Sequence, residues 1–118
     1  MKDRQLTARL ISLVLTGRLT VRQALQSFPM NTTDKSILTA YHALIHYEAD
    51  EDLRSRDAMY KDEQDEYLQL LAEILSQNRT LPQNIINSYK EYDSTVALPK
   101  DKKVRYLIAK LIKFLNIK

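Results

Sequence analysis

A chain of 118 residues with a single glycine, Gly17, has few folds open to it. Two-residue hairpins of the Asn-Gly type need a residue that tolerates positive φ, and none is available between alternating apolar runs. Phosphate-cradling loops and dinucleotide fingerprints need several glycines for tight turns and close backbone approach, so neither motif can be written here. Proline is also scarce, at three residues, while Leu, Lys, Glu, Gln and Ala are plentiful. These are helix formers. The expectation is an all-α, compact bundle-like or orthogonal domain of five to six helices. The length fits one domain spanning residues 1–118.

The periodicity places the helices at about 4–16, 20–28, 33–52, 57–77, 82–92 and 100–116. Asp3 can cap the first, whose Leu6, Leu10, Leu13 and Val14 share one face. Gly17 stands where a left-handed residue closes a helix. Thr20 and Gln23 form a capping box for a short second helix, which Pro29 stops. Asn31, Thr32 and Thr33 open the third. On a wheel of about 100° per residue with His42 at zero, Ile37, Leu38, Ala40, Tyr41, Leu44, Ile45 and Tyr47 centre near 230°. The fourth helix carries Tyr60, Tyr67, Leu68, Leu70, Leu71, Ile74 and Leu75, centred near 0° in the same frame. One continuous helix through both is conceivable, since no Gly or Pro divides them. The phase jump of about 130° instead predicts a break between residues 52 and 58. Leu81-Pro82 opens a fifth helix, with Ile85, Ile86 and Tyr89 inward. After a connector at 93–98, the sixth helix has an apolar face of Val104, Leu107, Ile108, Leu111, Ile112 and Leu115. The third, fourth and sixth helices should form most of the core.

Absence of cysteine removes disulfide frameworks, thiolate metal sites and thiol nucleophiles. No apolar stretch is long enough to span a bilayer. Residues 10–15 are shorter than a signal-peptide core and no small-x-small cleavage site follows. A cytoplasmic protein is expected. The two Asn-x-Thr triplets, at 31–33 and 78–80, then read as helix-start residues.

Charge is sorted along the chain. Nine of the fifteen acids, Glu48, Asp50, Glu51, Asp52, Asp57, Asp62, Glu63, Asp65 and Glu66, form an acidic waist between basic ends, with a net charge of +3. Much of the waist reads as the solvated face and first turn of the fourth helix, where acids suit the helix dipole. A calcium loop lacks its glycine turn. Glu48 and Asp52 are different, because the wheel puts them on the apolar side of the third helix. A carboxylate there needs a cationic or hydrogen-bonding partner, for which Arg54 and Arg56 are nearest in sequence.

His42 and His46, with Asp50 four residues on, can line up as a zinc or nickel half-site. The wheel puts them off the apolar arc, so a solvated polar face is the favoured reading. The set lacks the general-base glutamate of His-Glu-x-x-His. Lys102, Lys103 and Arg105, with Lys110 and Lys113, make the last helix basic and amphipathic. They suit phosphate, anionic lipid or an acidic partner groove, or simply a solvated bundle face. Residues 20–44 have the outline of a helix-turn-helix, but the second helix lacks Arg, Asn or Gln at its exposed start. Seven tyrosines near apolar faces suit a core boundary or an interface.

The expectation is therefore a non-catalytic protein–protein interaction or adaptor module without cofactors, binding another protein or a second copy as a homodimer. Its interaction residues would be Glu48, Asp52, Arg54, Arg56, Lys102, Lys103 and Arg105. A nucleic-acid-associated regulator using the basic ends is the alternative. A metal-binding protein built on His42, His46 and Asp50 is the third reading.

Overall fold

Local capping rules set the first half of the fold. A computed structural model describes residues 3–90. Among these there are six helices and no strand: α1 (Asp3–Leu15), α2 (Val21–Gln26), α3 (Lys35–Ala49), α4 (Glu51–Arg56), α5 (Ala58–Ser76) and α6 (Gln83–Lys90). The chain is all-α, as its composition dictates. The expected helix at 100–116, and with it Lys102, Lys103 and Arg105, lies outside the described residues.

Asp3 is the first residue of α1 and not its cap. At the other end Gly17 has φ +75°. Its N–H bonds Val14 O at 3.0 Å and the Arg18 N–H bonds Leu13 O at 2.9 Å, which is a Schellman closure. Asn78 does the same for α5 at φ 59°, with bonds from Asn78 N to Leu75 O and Arg79 N to Ile74 O. Thr20 and Gln23 make the expected reciprocal box, at 3.1 and 3.0 Å. The third helix starts later than residues 31–33 suggest. Its cap is Asp34, which accepts from the Ser36 N–H at 2.9 Å.

Asp34 also ties α3 to α1 through Arg4, whose Nε lies 2.7 Å from the carboxylate. Burial pushes the Asp34 carboxyl up. Hydrogen bonds from Arg4 and the Ser36 N–H, with the Arg4 charge, outweigh it and hold the group below the ordinary 3.8. Ser36 is itself buried, and its Oγ accepts from the Leu81 N–H at 2.9 Å. That bond fixes the start of α6 against the first turn of α3.

The break between α3 and α5 falls at Asp57, inside the expected window. Asp57 is extended (φ −135°, ψ 100°) and its side chain accepts from the Tyr60 N–H. An aspartate in its preferred N-cap conformation turns the chain without Gly or Pro. A second, gentler break at Asp50 ends α3 three residues early and makes 51–56 a helix of its own.

The core is organised around α1 and α5, which make the most extensive helix pair, with α3 and α2 packed across them and α6 on α3. The expected third and fourth helices supply much of this core, the share expected of the helix at 100–116 lies outside the described residues, and α1 joins them in a larger part than its pattern suggests. The reason lies in small residues. Thr7 and Ala8 on α1 and Ala72 on α5 are buried beside Ile11, Leu71 and Leu75. Such residues let helix backbones approach closely, yet carry little weight in an apolar pattern.

The same effect rotates α3. Its buried face is Ser36, Ile37, Thr39, Ala40, Ala43, Leu44 and His46. That is about 100°, one residue's turn, from the arc drawn through the large apolar side chains. Leu38 is exposed, and Tyr41, Ile45 and Tyr47 are only partly buried.

Candidate functional site

The rotation of α3 rearranges every candidate residue near its end. Glu48 is exposed, not buried in the apolar face. Asp52 is exposed as well, and pairs with Arg56 one turn along α4. Neither carboxylate is the buried acid that the wheel implied. The buried acid is Asp50, at 8% exposure, and with it His46, at 1%. The solvated polar face expected for these two is corrected: both belong to the interior, because small residues bring that side of α3 inward.

Asp50 is held by α5. Tyr60 Oη donates to its Oδ2 at 2.7 Å, and Gln64 Nε2 approaches the same oxygen at 3.4 Å. Gln64 Nε2 also donates to Tyr60 Oη at 3.2 Å. Gln64 Oε1 accepts from Arg54 Nη1 at 3.1 Å, and that nitrogen donates to the Tyr47 carbonyl too. The guanidinium lies 3.5 Å above the centre of the Tyr47 ring. Tyr47 Oη in turn donates to Asp65 at 2.9 Å, and Asp65 pairs with Lys61 at 2.6 Å. A continuous polar chain therefore runs from the interior to the surface across α3, α4 and α5. Arg54 enters it, as the reading of a bend-fixing cation anticipates, but Asp50 and not Glu48 is the acid at its buried end.

The electrostatics follow from burial and neighbours. Burial lowers the His46 pKa below 6.5, opposed by the Asp50 charge and assisted by His42, so the imidazole is neutral at neutral pH. Burial raises the Tyr47 hydroxyl above 10, and its hydrogen bond to Asp65 adds to this. Asp65 also raises the exposed Lys61 ammonium. This chain of bonds fastens a corner. The Asp50 oxygen that faces α5 is occupied by Tyr60 and Gln64. Among the described residues no group of three or more His, Cys, Asp or Glu side chains is placed to hold a metal ion. His42 is partly exposed and meets Tyr41 edge-on, with ring centres 6.0 Å apart.

The other end of α3 carries a different feature. Leu25, Phe28, Pro29 and Met30, from the end of α2 and the turn after it, face Ile37, Leu38 and Tyr41 across an open groove of about 490 Å³. Phe28 and Tyr41 build its wall, edge to face at 5.5 Å. Gln26, Asn31 and Thr32 are polar points on its lining. Asn31 adopts φ 58°, a left-handed conformation that Asn tolerates, and so reverses the chain after Met30. Of the three exposed large hydrophobic residues among those described, Met30 (86%) and Leu38 (37%) line this groove, and Met59 (76%) stands apart on α5.

Sequence reasoning missed the groove. Leu38 was assigned to the core by the misplaced arc. The available signal was Met30, a large apolar residue between Pro29 and Asn31 with no helical period to bury it. No family model, curated protein or solved structure matches this chain. No helix among the described residues is long and apolar enough to cross a membrane.

Proposed function

We propose that this chain is a non-catalytic protein–protein interaction module, and that its binding surface is the α2–α3 groove. The occupant is an amphipathic helix of a partner protein, seated by its apolar side. The observation that carries this reading is an apolar trough edged by Met30 and Leu38, exposed at 86% and 37%. Contiguous exposed apolar surface costs solubility and marks interaction sites in folded proteins. The size of about 490 Å³ suits a row of anchor side chains. A rigid aromatic wall with flexible methionine and leucine at the rim is the composition of helix-binding grooves. Among the described residues the lining has no carboxylate, amine or guanidinium to select a charged ligand. The acidic bend then serves the fold, through Asp50 and Asp57, and the solubility of the module.

The test uses affinity capture from the native cell with the full chain and three charge variants. Met30→Glu and Leu38→Glu place a carboxylate in the groove. Met59→Glu places one on an exposed methionine elsewhere. A partner bound through the groove should lose affinity roughly 30-fold or more with the first two, the scale of one interfacial hot spot. It should be retained by Met59→Glu. Identical retention by all three variants would refute the groove as the binding surface.

A further inference from the structure

We propose that the partner helix also places an arginine or lysine side chain in a second cleft further along α2 and α3, where Glu48 and Glu51 take its charge. The proposal rests on the reading of the α2–α3 groove as a helix-binding surface. It adds which charge the occupant carries and where.

The second cleft has a volume of about 490 Å³. Val14, Leu19 and Val21 give it an apolar side, with Val14 and Val21 buried. Glu48 in the last turn of α3 and Glu51 at the start of α4 also line it, and both are exposed. Arg22, exposed on the first turn of α2, lines it from the α2 side.

The two clefts lie on one side of the same helix pair. At the groove the end of α2 meets the start of α3, through Phe28 and Tyr41. At the second cleft the start of α2 and the end of α3 come together, through Val21 and Tyr47. On α2, Gln26 lines the groove and Arg22 the second cleft, four residues apart on one face. On α3, Tyr41 lines the groove and Glu48 the second cleft, seven residues apart and again on one face. The partly buried Ile45 stands between them on that face. Seven residues rise about 10 Å, so one helix of ordinary length laid along the pair spans both clefts.

The ligand chemistry follows from which charges are already used. Among the described residues the ion pairs are Arg4–Asp34, Arg56–Asp52 and Lys61–Asp65. Glu48 and Glu51 belong to none of them. Arg54 lines the cleft too, but its guanidinium is held over the Tyr47 ring and donates to the Tyr47 carbonyl and Gln64. Two carboxylates therefore stand beside an apolar surface without a cation of their own. An arginine or lysine fits on both counts, because its methylene stem packs on Val14, Leu19 and Val21 while its head meets the carboxylates. Arg22 offers the opposite sign from α2. A partner helix with an acid three or four residues from its basic residue satisfies both sides at once. The charges thus fix the direction in which the partner lies, and the apolar groove supplies most of the affinity.

The probe is a displayed library of peptides of about 20 residues, long enough to hold a helix. Apolar residues are fixed at i, i+3, i+4 and i+7, and the turns on either side are randomised. Selection uses the full chain at low salt. Enriched peptides should carry Arg or Lys about two turns from the apolar anchors, always on the same flank, with Asp or Glu one turn from it. Such a peptide should bind Glu48→Gln/Glu51→Gln roughly 5-fold more weakly and Glu48→Lys/Glu51→Lys about 10-fold or more weakly. Both differences should shrink at about 0.5 M salt. Leu38→Glu should weaken the same peptide roughly 30-fold. Because both glutamates are exposed, thermal melts of these variants should match that of the parent. Loss of binding with Leu38→Glu but not with the glutamate variants would overturn this proposal and leave the groove reading standing. Loss with the glutamate variants but not with Leu38→Glu would remove the groove reading and leave only the cleft's preference for a basic side chain. Enriched peptides without a basic residue would overturn the proposal, and a library with no enriched peptide would overturn both readings.

Discussion

Removing one hydroxyl at Tyr60 tests whether the corner network is held as described. In Tyr60→Phe the ring still fills its buried site, but Asp50 loses its 2.7 Å donor and keeps the longer approach of Gln64 Nε2 at 3.4 Å. Gln64 also loses its 3.2 Å acceptor. A hydrogen bond to a charged group contributes about 1.5–3 kcal/mol, and a buried carboxylate left underpaired adds desolvation cost. The expected loss is about 2–3 kcal/mol, a large share of the roughly 5–15 kcal/mol that holds a domain together. In urea, with a slope of about 1–3 kcal/mol per molar, the midpoint should fall by roughly 1 M. The assay is equilibrium unfolding followed by far-ultraviolet circular dichroism, repeated for Asp50→Asn and the double variant. Because the two groups touch, the cycle should give a coupling of at least about 1 kcal/mol. A Tyr60→Phe loss inside the roughly 0.5 kcal/mol scatter of surface substitutions, with no coupling to Asp50, would refute the network.

Stability should also depend on pH through His46. Its folded pKa lies below 6.5, so the unfolded chain takes the proton first, and stability declines as pH drops below 6.5. In His46→Leu that slope should vanish from urea titrations between neutral pH and the folded value. A second decline should begin below about 3.8 from Asp34, whose folded pKa is depressed, and should be smaller in Arg4→Ala. Thr20→Ala removes the acceptor of the Gln23 N–H and should cost about 1 kcal/mol by the same unfolding assay, with Thr20→Ser largely neutral. Gly17→Ala meets no atom within 4 Å, so its cost should be that of the left-handed backbone alone, about 1–2 kcal/mol. Asp52→Ala should change stability by less than about 0.5 kcal/mol, since its pair with Arg56 is exposed.

Features that depend on a few neighbouring residues were legible from the sequence. Gly17 and the Thr20–Gln23 box are backbone chemistry written in adjacent letters, and both stand where expected. The apolar face of α5 was legible too, because Tyr67, Leu68, Leu71 and Leu75 leave one choice of side. On α3 the large apolar residues surround the axis loosely, while Ser36, Thr39 and Ala43 are small enough to face either core or water. Packing decided the matter, and it selected the small residues because α6 and α5 approach there. The break before α5 was anticipated from a phase jump drawn with the wrong α3 face. Its position held because Asp57 is a capable N-cap in its own right. The groove was the least legible feature. It is made by a turn whose path depends on the left-handed Asn31, and that conformation leaves no pattern in composition.

The two ends of α3 explain why charge is sorted along this chain. At its N-terminal half the helix offers Leu38 and Tyr41 to the groove, whose lining is neutral among the described residues. At its C-terminal half it buries His46 and Asp50 and hands the chain to α4 and α5. Two helix starts follow within eight residues, each with orphan N–H groups and a positive end of the dipole. Glu51 and Asp52 occupy the first turn of α4, and Asp57 caps α5. A corner that opens two helices in quick succession draws acids for local reasons, whatever the protein binds. Glu51, Asp52 and Asp57 are thus accounted for by the two helix starts of the α3–α4–α5 corner, whereas Asp62, Glu63, Asp65 and Glu66 lie beyond the first turn of α5, which holds no acid. The corner's polar chain from Asp50 to Lys61 adds directional bonds between α3 and α5 to the apolar core that Leu44, Leu68 and Leu71 share. At the opposite end of α3 Leu38 stands outward beside the half-buried Tyr41, while Ile37 on the same turn is buried in the core.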